Sequence, residues 1–68
     1  MSKGRVKYFN ENKGWGLIAD RESDRDIYVH YTAIRMDGYK TLREGQEVLY
    51  EITHTDRGPQ ALNVTPQL

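Results

Sequence analysis

Two short runs of this 68-residue chain alternate with the period of a β-strand and contain aromatic side chains. Residues 13–18, with the sequence KGWGLI, form the first run. Successive side chains of a strand point to opposite faces, so Trp15 and Leu17 oppose Gly16 and Ile18. The ring of Trp15 is then on the face away from the aliphatic Ile18. A ring that is exposed in this way can stack against an unpaired base.

Residues 27–31, with the sequence IYVHY, repeat the pattern. Here Ile27 and Val29 oppose Tyr28 and His30. If the aliphatic side is the core, the rings of both runs are left on a solvated face, where large flat groups have no packing reason to collect. The bases of a single strand stack on such rings, so the pattern predicts a face that binds unpaired nucleotides.

Both runs resemble motifs of the cold-shock domain family. Residues 13–18 are similar to the first ribonucleoprotein motif of that family, and residues 27–31 are similar to the second. Further ordered matches cover nearly the whole chain, at residues 4–10, 38–42, 44–46, 57–61 and 63–64. The resemblance implies an all-β fold, a five-stranded antiparallel Greek-key barrel of the OB-fold type. It also implies a stress-response protein that binds single-stranded RNA and DNA, resolves RNA secondary structure as an RNA chaperone and catalyses no reaction.

The length allows a single domain, residues 1–68. A chain this short buries only about 60% of its unfolded surface, so we expect marginal stability. Ten Lys and Arg balance ten Asp and Glu, and affinity for nucleic acid must therefore come from local charge and stacking. Residues 1–18 carry four basic side chains against one acidic side chain, a local sum of +3, and they include the KGWGLI run.

The chain contains no cysteine, which excludes disulfides and thiolate metal sites and is compatible with a reducing cytoplasm. No apolar run approaches the length of a membrane span, and the N-terminus lacks an apolar segment. We therefore expect a cytoplasmic monomer that needs no cofactor or metal and binds no membrane and no small-molecule substrate.

Strand-like runs occur at residues 5–9, 15–19, 27–31, 47–53 and 60–64, with turn signals at residues 12–14 and 56–59. Short strands at these spacings predict a small all-β barrel. The 15 residues from 32 to 46 are long for a connection in so compact a domain, which favours a functional loop or a cover over an open barrel end. Residues 32–34 are predicted to form one helical turn.

The strand pattern selects Trp15, Tyr28 and His30 as stacking residues. His30 has an alternative use: Asp26, four residues earlier on the same strand face, could cap its ring, and that pairing can coexist with stacking. Tyr31 breaks the alternation, and we expect a bulge at the strand end to redirect its side chain to the binding face.

On the first strand, the alternation of side chains disagrees with the family pattern. Val6 points inward by type, so a perfect pleat would turn Tyr8 inward and Lys7 and Phe9 outward. The family pattern uses both aromatic residues after the lysine as contacts, so we predict a bulge near Tyr8 or Phe9. Of these two, Phe9 is the better candidate for core packing. Lys7 and Lys13 are either ordinary solvated lysines or, beside stacked rings, neutralise phosphates.

Five further residues are selected by the resemblance alone. Tyr39 and Arg57 lie in predicted loops. Asn10, Asp26 and Gln60 are expected to make weaker contacts with base edges or sugars. We predict no catalytic residue and no metal ligand. The predicted nucleic-acid-binding set is Lys7, Tyr8, Phe9, Asn10, Lys13, Trp15, Leu17, Asp26, Tyr28, His30, Tyr31, Tyr39, Arg57 and Gln60.

Two residues depart from the family pattern. Leu17 stands where an aromatic residue is typical, and Tyr8 stands where tryptophan is typical. The predicted face therefore has one ring fewer and one smaller ring. Each stacked base contributes about 1 to 3 kcal/mol, so the missing ring at Leu17 predicts binding weakened on the order of tenfold unless Trp15 covers more base surface.

Two other classes of function compete with this interpretation. The sequence disfavours an enzyme, since it has no thiol, no Gly-x-Ser-x-Gly motif and no glycine-rich phosphate loop. Asp26 and His30 would be an acid–base pair without a nucleophile. The stronger alternative is a small β-barrel that binds a peptide or protein with the same rings. Salt separates the two kinds of ligand, because binding to a strand of phosphates weakens as salt is added.

Overall fold

Five strands close into a barrel in the computed structural model, which describes residues 1–67. The strands are β1 (Ser2–Asn10), β2 (Trp15–Asp20), β3 (Asp26–His30), β4 (Glu47–Thr55) and β5 (Gly58–Pro66), and a 3-10 helical turn, Tyr31–Ala33, follows β3. Their order around the barrel is β1-β2-β3-β5-β4, and β4 returns to pair with β1. The predicted all-β barrel is confirmed.

One seam of the barrel is built differently from the rest. β3 and β5 run parallel, whereas the other neighbouring strands of residues 1–67 pair antiparallel. The parallel contact is short: Tyr28 pairs with Gln60, and an isolated bridge joins Ile34 to Val64. Because so little backbone pairing closes this seam, side chains of β3 and β5 face each other across a cleft there.

Most strands extend beyond their predicted ends, because backbone pairing continues where side-chain type does not indicate it. β1 begins at Ser2, since its first residues pair with β4. β4 and β5 form a tight hairpin in which Thr55 pairs with Gly58. The third strand has its predicted length but is shifted by one residue, to Asp26–His30, and Tyr31 begins the helical turn that the sequence predicts for residues 32–34.

Aliphatic side chains of every strand fill the barrel, as the alternation predicts. Ile18 of β2 and Ile27 and Val29 of β3 are at most 1% exposed. Ile34 and Leu42, from the long segment between β3 and β4, are buried in the same cluster. That segment therefore contributes to the core as well as to the surface, in agreement with a cover over one end of the barrel.

A β-bulge in β1 resolves the disagreement between the alternation of side chains and the family pattern. Val6 pairs with Ile18, but Tyr8 pairs with Leu17, so Lys7 is an extra residue on β1. After the bulge the faces are exchanged. Tyr8 consequently lies on the outer face, where it is 39% exposed, and the predicted bulge is found at Lys7.

A buried polar pair was not anticipated from the sequence. The Asp20 carboxylate accepts a hydrogen bond from the Tyr50 hydroxyl and two more from Ser23, from its backbone N–H at 3.1 Å and its hydroxyl at 2.8 Å. Burial raises the pKa of Asp20, but these hydrogen bonds outweigh burial and hold that pKa below its usual value. Burial and then the Asp20 carboxylate raise the pKa of Tyr50.

Candidate nucleic-acid interface

Trp15 has a ring on either side of it on the outer surface of the barrel. Its ring stacks on that of Tyr28, with centroids 5.9 Å apart and planes at 24°. The ring of Tyr8 meets Trp15 edge-on, also at 5.9 Å, with an interplanar angle of 67°. Both arrangements are favourable for aromatic pairs, so the three rings hold one another in orientation.

Strand register explains why these rings meet. β2 lies between β1 and β3, and it pairs Leu17 with Tyr8 on one side and with Tyr28 on the other. Two residues before Leu17 on the same face of β2, Trp15 pairs with His30. We call Tyr8, Trp15, Leu17, Tyr28 and His30 the ring face. Its five members are half-buried or exposed, whereas the alternate positions of β2 and β3 are buried.

His30 takes its orientation from the turn that follows β3. Its Nδ1 lies 2.9 Å from the hydroxyl oxygen of Thr32, and its ring centroid lies 4.6 Å from that of Tyr31. The cap by Asp26 that the sequence allows does not form. Asp26 instead pairs with Lys7, at 3.0 Å between Oδ2 and Nζ, and that alternative for His30 is therefore wrong.

Tyr31 lies beside His30 because of the helical turn, and not because of the bulge predicted at the end of the strand. Its backbone N–H donates to the Gly14 carbonyl at 2.8 Å, and its ring lies over Gly14. A Cβ at position 14 would be 2.7 Å from a ring carbon of Tyr31, and Gly14 has a φ of +79°. Both the turn and the ring packed on it therefore require glycine.

A cleft of about 510 Å³ extends the ring face at the parallel seam; we call it the seam cleft. Tyr28 and His30 line it from β3, and Arg57 and Gln60 line it from the β4–β5 hairpin. Gln60 is held there by its pairing with Tyr28. The structure thus brings Arg57 and Gln60, which only the resemblance selected, next to the rings.

A second cleft, of about 390 Å³, lies between the β1–β2 turn and the segment after the helical turn; we call it the loop cleft. Lys13, Tyr31 and Tyr39 line it, and the Tyr39 hydroxyl donates to the Glu11 carbonyl at 3.3 Å. Lys40 also lines this cleft. Lys40 is not in the set predicted from the sequence, although a cation next to a predicted stacking residue is a recognisable signal.

Asn10 and Phe9, both in the predicted set, have structural uses in this geometry. The Asn10 Oδ1 accepts hydrogen bonds from the backbone N–H groups of Asn12 and Lys13, each at 3.0 Å, and so shapes the turn that carries Lys13. Phe9 pairs with Gly16 and packs against the buried core. Direct contact of either residue with nucleic acid stays a prediction.

The sequence of residues 2–67 matches the family described as "'Cold-shock' DNA-binding domain". Cold shock protein 1 of Lactiplantibacillus plantarum is 52% identical over 67 residues, which are 98% of this chain and 100% of that protein. Cold shock protein CspB of Bacillus caldolyticus is 55% identical over 64 residues, 94% of this chain and 96% of that protein. Cold shock-like protein CspE of Escherichia coli K12 is 52% identical over 62 residues, 91% of this chain and 90% of that protein.

The barrel also has a counterpart among solved structures. The Drosophila Unr CSD456 structure resembles it with a TM-score of 0.79 over 98% of this chain, at 16% identity. This chain covers 26% of that longer one, and the likeness concerns the fold. Within residues 1–67, no helix is long and apolar enough to cross a membrane. The barrel, the ring face and identity above half over more than nine-tenths of the chain show that it belongs to the cold-shock domain family, a family of nucleic-acid-binding proteins.

Proposed function

We propose that this protein binds single-stranded RNA and DNA by stacking unpaired bases on the ring face. The stacked pair of Trp15 and Tyr28 on a half-buried outer surface is the observation that supports the proposal most directly. Rings that serve stability alone would lie inside the barrel, but Ile18 and Val29 fill the inner positions of the same strands. Each base stacked on such a ring contributes about 1 to 3 kcal/mol.

The two clefts support a path for the strand. Arg57 lines the seam cleft, and Lys13 and Lys40 line the loop cleft. Cations in both clefts can neutralise phosphates while the bases stack on the rings. The net charge of the protein is zero, so stacking supplies most of the affinity and charge supplies the smaller part.

Binding of this kind would let the protein act as an RNA chaperone, which melts RNA secondary structure or prevents it from forming. Bases in a duplex are already stacked and paired, so their faces are not available to the ring face. A protein that binds only the open strand stabilises it by about 2.7 kcal/mol at a concentration one hundred times its Kd. A base-pair step of DNA is worth about 1.4 kcal/mol, so one bound protein offsets about two steps of that strength. Weak hairpins are therefore the expected substrates.

The single tryptophan of the chain provides the test. A short pyrimidine-rich DNA strand and its RNA counterpart should quench the fluorescence of Trp15, and the matched duplex should quench it far less. Leu62→Ala is a matched control, because Leu62 is exposed on β5 but lines neither cleft. Unchanged fluorescence with both single strands would contradict the proposal.

Chaperone activity needs a separate measurement. An RNA hairpin with a fluorophore and a quencher at its two ends should open as wild-type protein is added. Tyr28→Ala should lose this effect in proportion to its lost affinity for single strands, because opening is driven by binding to the open form. Binding of single strands without any opening of a short hairpin would restrict the proposal to nucleic-acid binding.

The same titrations distinguish nucleic-acid binding from the alternative function, peptide binding. A proline-rich peptide that docked on the rings would also quench Trp15, but its affinity should depend little on salt. Quenching by the peptide and not by single strands would favour that function. We further propose that the protein acts as a monomer in the cytoplasm. Sedimentation equilibrium would measure its oligomeric state.

A further inference from the structure

Lys7 and Asp26 form an ion pair across the outer surface of β2. Lys7 belongs to β1 and Asp26 to β3, and β2 lies between these strands. Two strand spacings amount to about 10 Å, yet Lys7 Nζ lies 3.0 Å from Asp26 Oδ2. Asp26 pairs with Ala19, and Lys7 directly precedes Tyr8, which pairs with Leu17, the next outward residue of β2. The ion pair therefore borders the ring face.

The β-bulge makes this ion pair possible. Lys7 is the extra residue of the bulge, between Val6, which pairs with Ile18, and Tyr8, which pairs with Leu17. A bulge redirects the side chain of its extra residue. The side chains of Lys7 and Asp26 remain 55% and 42% exposed, so a phosphate from solvent can reach either of them.

The pairing changes what a nucleic-acid strand meets at this edge. The predicted role of Lys7 is to neutralise a phosphate, but its charge is already balanced by a carboxylate at hydrogen-bond distance. We infer that Asp26 competes with the nucleic-acid backbone for Lys7, so that the internal ion pair lowers the affinity of the ring face for single strands. This inference rests on the proposed function and assigns Asp26 a role opposite to the base contact that the family resemblance implies.

The size of the effect follows from the exposure of the pair. Exposed ion pairs contribute about 0.2 to 1 kcal/mol, so freeing Lys7 should raise affinity by about 1.4-fold to fivefold. A single strand loses affinity with a slope of about −0.7 in log–log coordinates for each neutralised phosphate. Release of Lys7 to one more phosphate should therefore steepen the slope by up to about 0.7.

A double-mutant cycle tests the inference. Wild type, Asp26→Asn, Lys7→Gln and the double variant are titrated with an oligothymidylate and an oligouridylate at several salt concentrations while Trp15 fluorescence is followed. Asp26→Asn should bind more tightly by about 1.4-fold to fivefold, with the steeper salt slope. In the Lys7→Gln background the same substitution should have a much smaller effect, because there is no lysine to release.

Asp24→Asn controls for net charge, because it removes the same charge from the β2–β3 turn outside both clefts. An equal gain from Asp24→Asn, or an equal gain in both Lys7 backgrounds, would overturn the inference in favour of general electrostatics. Weaker binding by Asp26→Asn would overturn it in favour of a direct base contact. Failure of wild type to bind either strand would overturn the proposed function together with this inference.

Discussion

The hydroxyl of Tyr50 donates a hydrogen bond to the carboxylate of Asp20 inside the barrel. Tyr50 is on β4 and Asp20 ends β2, and these strands are separated by β1. Gly4 of β1 leaves the space, since a Cβ there would lie 2.8 Å from the Tyr50 oxygen. The pair therefore ties the β2–β3 turn, between the two strands that carry most of the ring face, to the other side of the barrel.

Tyr50→Phe should lower the free energy of unfolding by about 1.5 to 3 kcal/mol, because it removes a hydrogen bond to a buried charged group. Asp20→Val combined with Tyr50→Phe should cost less than the sum of the single substitutions, since it leaves neither polar group unpaired. Chemical denaturation measures each value. Tyr39→Phe is the exposed control and should stay within about 0.5 kcal/mol of wild type; an equally small effect of Tyr50→Phe would show that the buried pair is unimportant.

The stability of wild type should fall in acid partly because of Asp20. Its pKa in the folded protein lies below the usual value, since hydrogen bonds from Tyr50 and Ser23 outweigh the effect of burial. The unfolded chain therefore binds a proton more readily, and stability rises with pH. The contribution of Asp20 is complete above the unfolded pKa of about 3.9 and is lost as pH falls through the lower folded pKa.

Asp20→Asn should flatten this loss of stability in acid, although it lowers stability at neutral pH. Denaturation of both proteins at a series of pH values from neutral to strongly acidic measures the difference. Parallel curves for wild type and Asp20→Asn would mean that other carboxylates cause the whole acid dependence.

Substitutions on the two faces of the sheet should have opposite effects. Tyr28→Ala and His30→Ala should each weaken single-strand binding by about 1 to 3 kcal/mol and leave the fold largely intact. Ile18→Ala should lower the free energy of unfolding by about 2 to 5 kcal/mol, because it leaves a cavity in the core. Fluorescence titration and thermal unfolding of each variant give the two quantities. Unfolding by the ring substitutions, with little effect of Ile18→Ala, would reverse the assignment of the faces.

Leu17→Phe should tighten single-strand binding by about 0.5 to 2 kcal/mol. Leu17 is half-buried between Tyr8 and Tyr28, so a ring at this position would add a base-sized platform on the outer face. If Leu17 instead packs beneath its neighbours, the larger ring should cost about 1 to 3 kcal/mol of stability. Affinity and thermal midpoint are measured on the same variant. A lowered midpoint without tighter binding would remove Leu17 from the binding surface.

Affinity should depend only weakly on salt. If Lys13, Lys40 and Arg57 in the two clefts neutralise two or three phosphates while Lys7 stays paired with Asp26, the logarithm of affinity should fall with the logarithm of salt with a slope of about −1.5 to −2. Titration of one oligothymidylate at several salt concentrations gives this slope. A slope several times steeper would mean that many more cations than these reach the strand.

Some features of the ring face followed from local pattern alone. The alternation in residues 13–18 and 27–31 placed Trp15 and Tyr28 opposite Ile18 and Val29, and the structure has the former half-buried and the latter fully buried. This succeeded because the backbone geometry of any strand sends successive side chains to opposite faces. The same rule placed Tyr8 on the wrong face, because a bulge interrupts the strand. Only the family resemblance predicted that bulge.

The sequence by itself determined the all-β class, the sides of β2 and β3 that face the core and the residue types of the ring face. Only the tertiary structure decided that Asp26 pairs with Lys7 rather than with His30, that Asp20 meets Tyr50, and that Lys40 lines a cleft. In the ion pair and in the hydrogen-bonded pair alike, the two partners lie on strands that have a third strand between them. Such partnerships depend on register, bulge position and barrel closure, and these are set by the packing of the whole chain rather than by any local pattern.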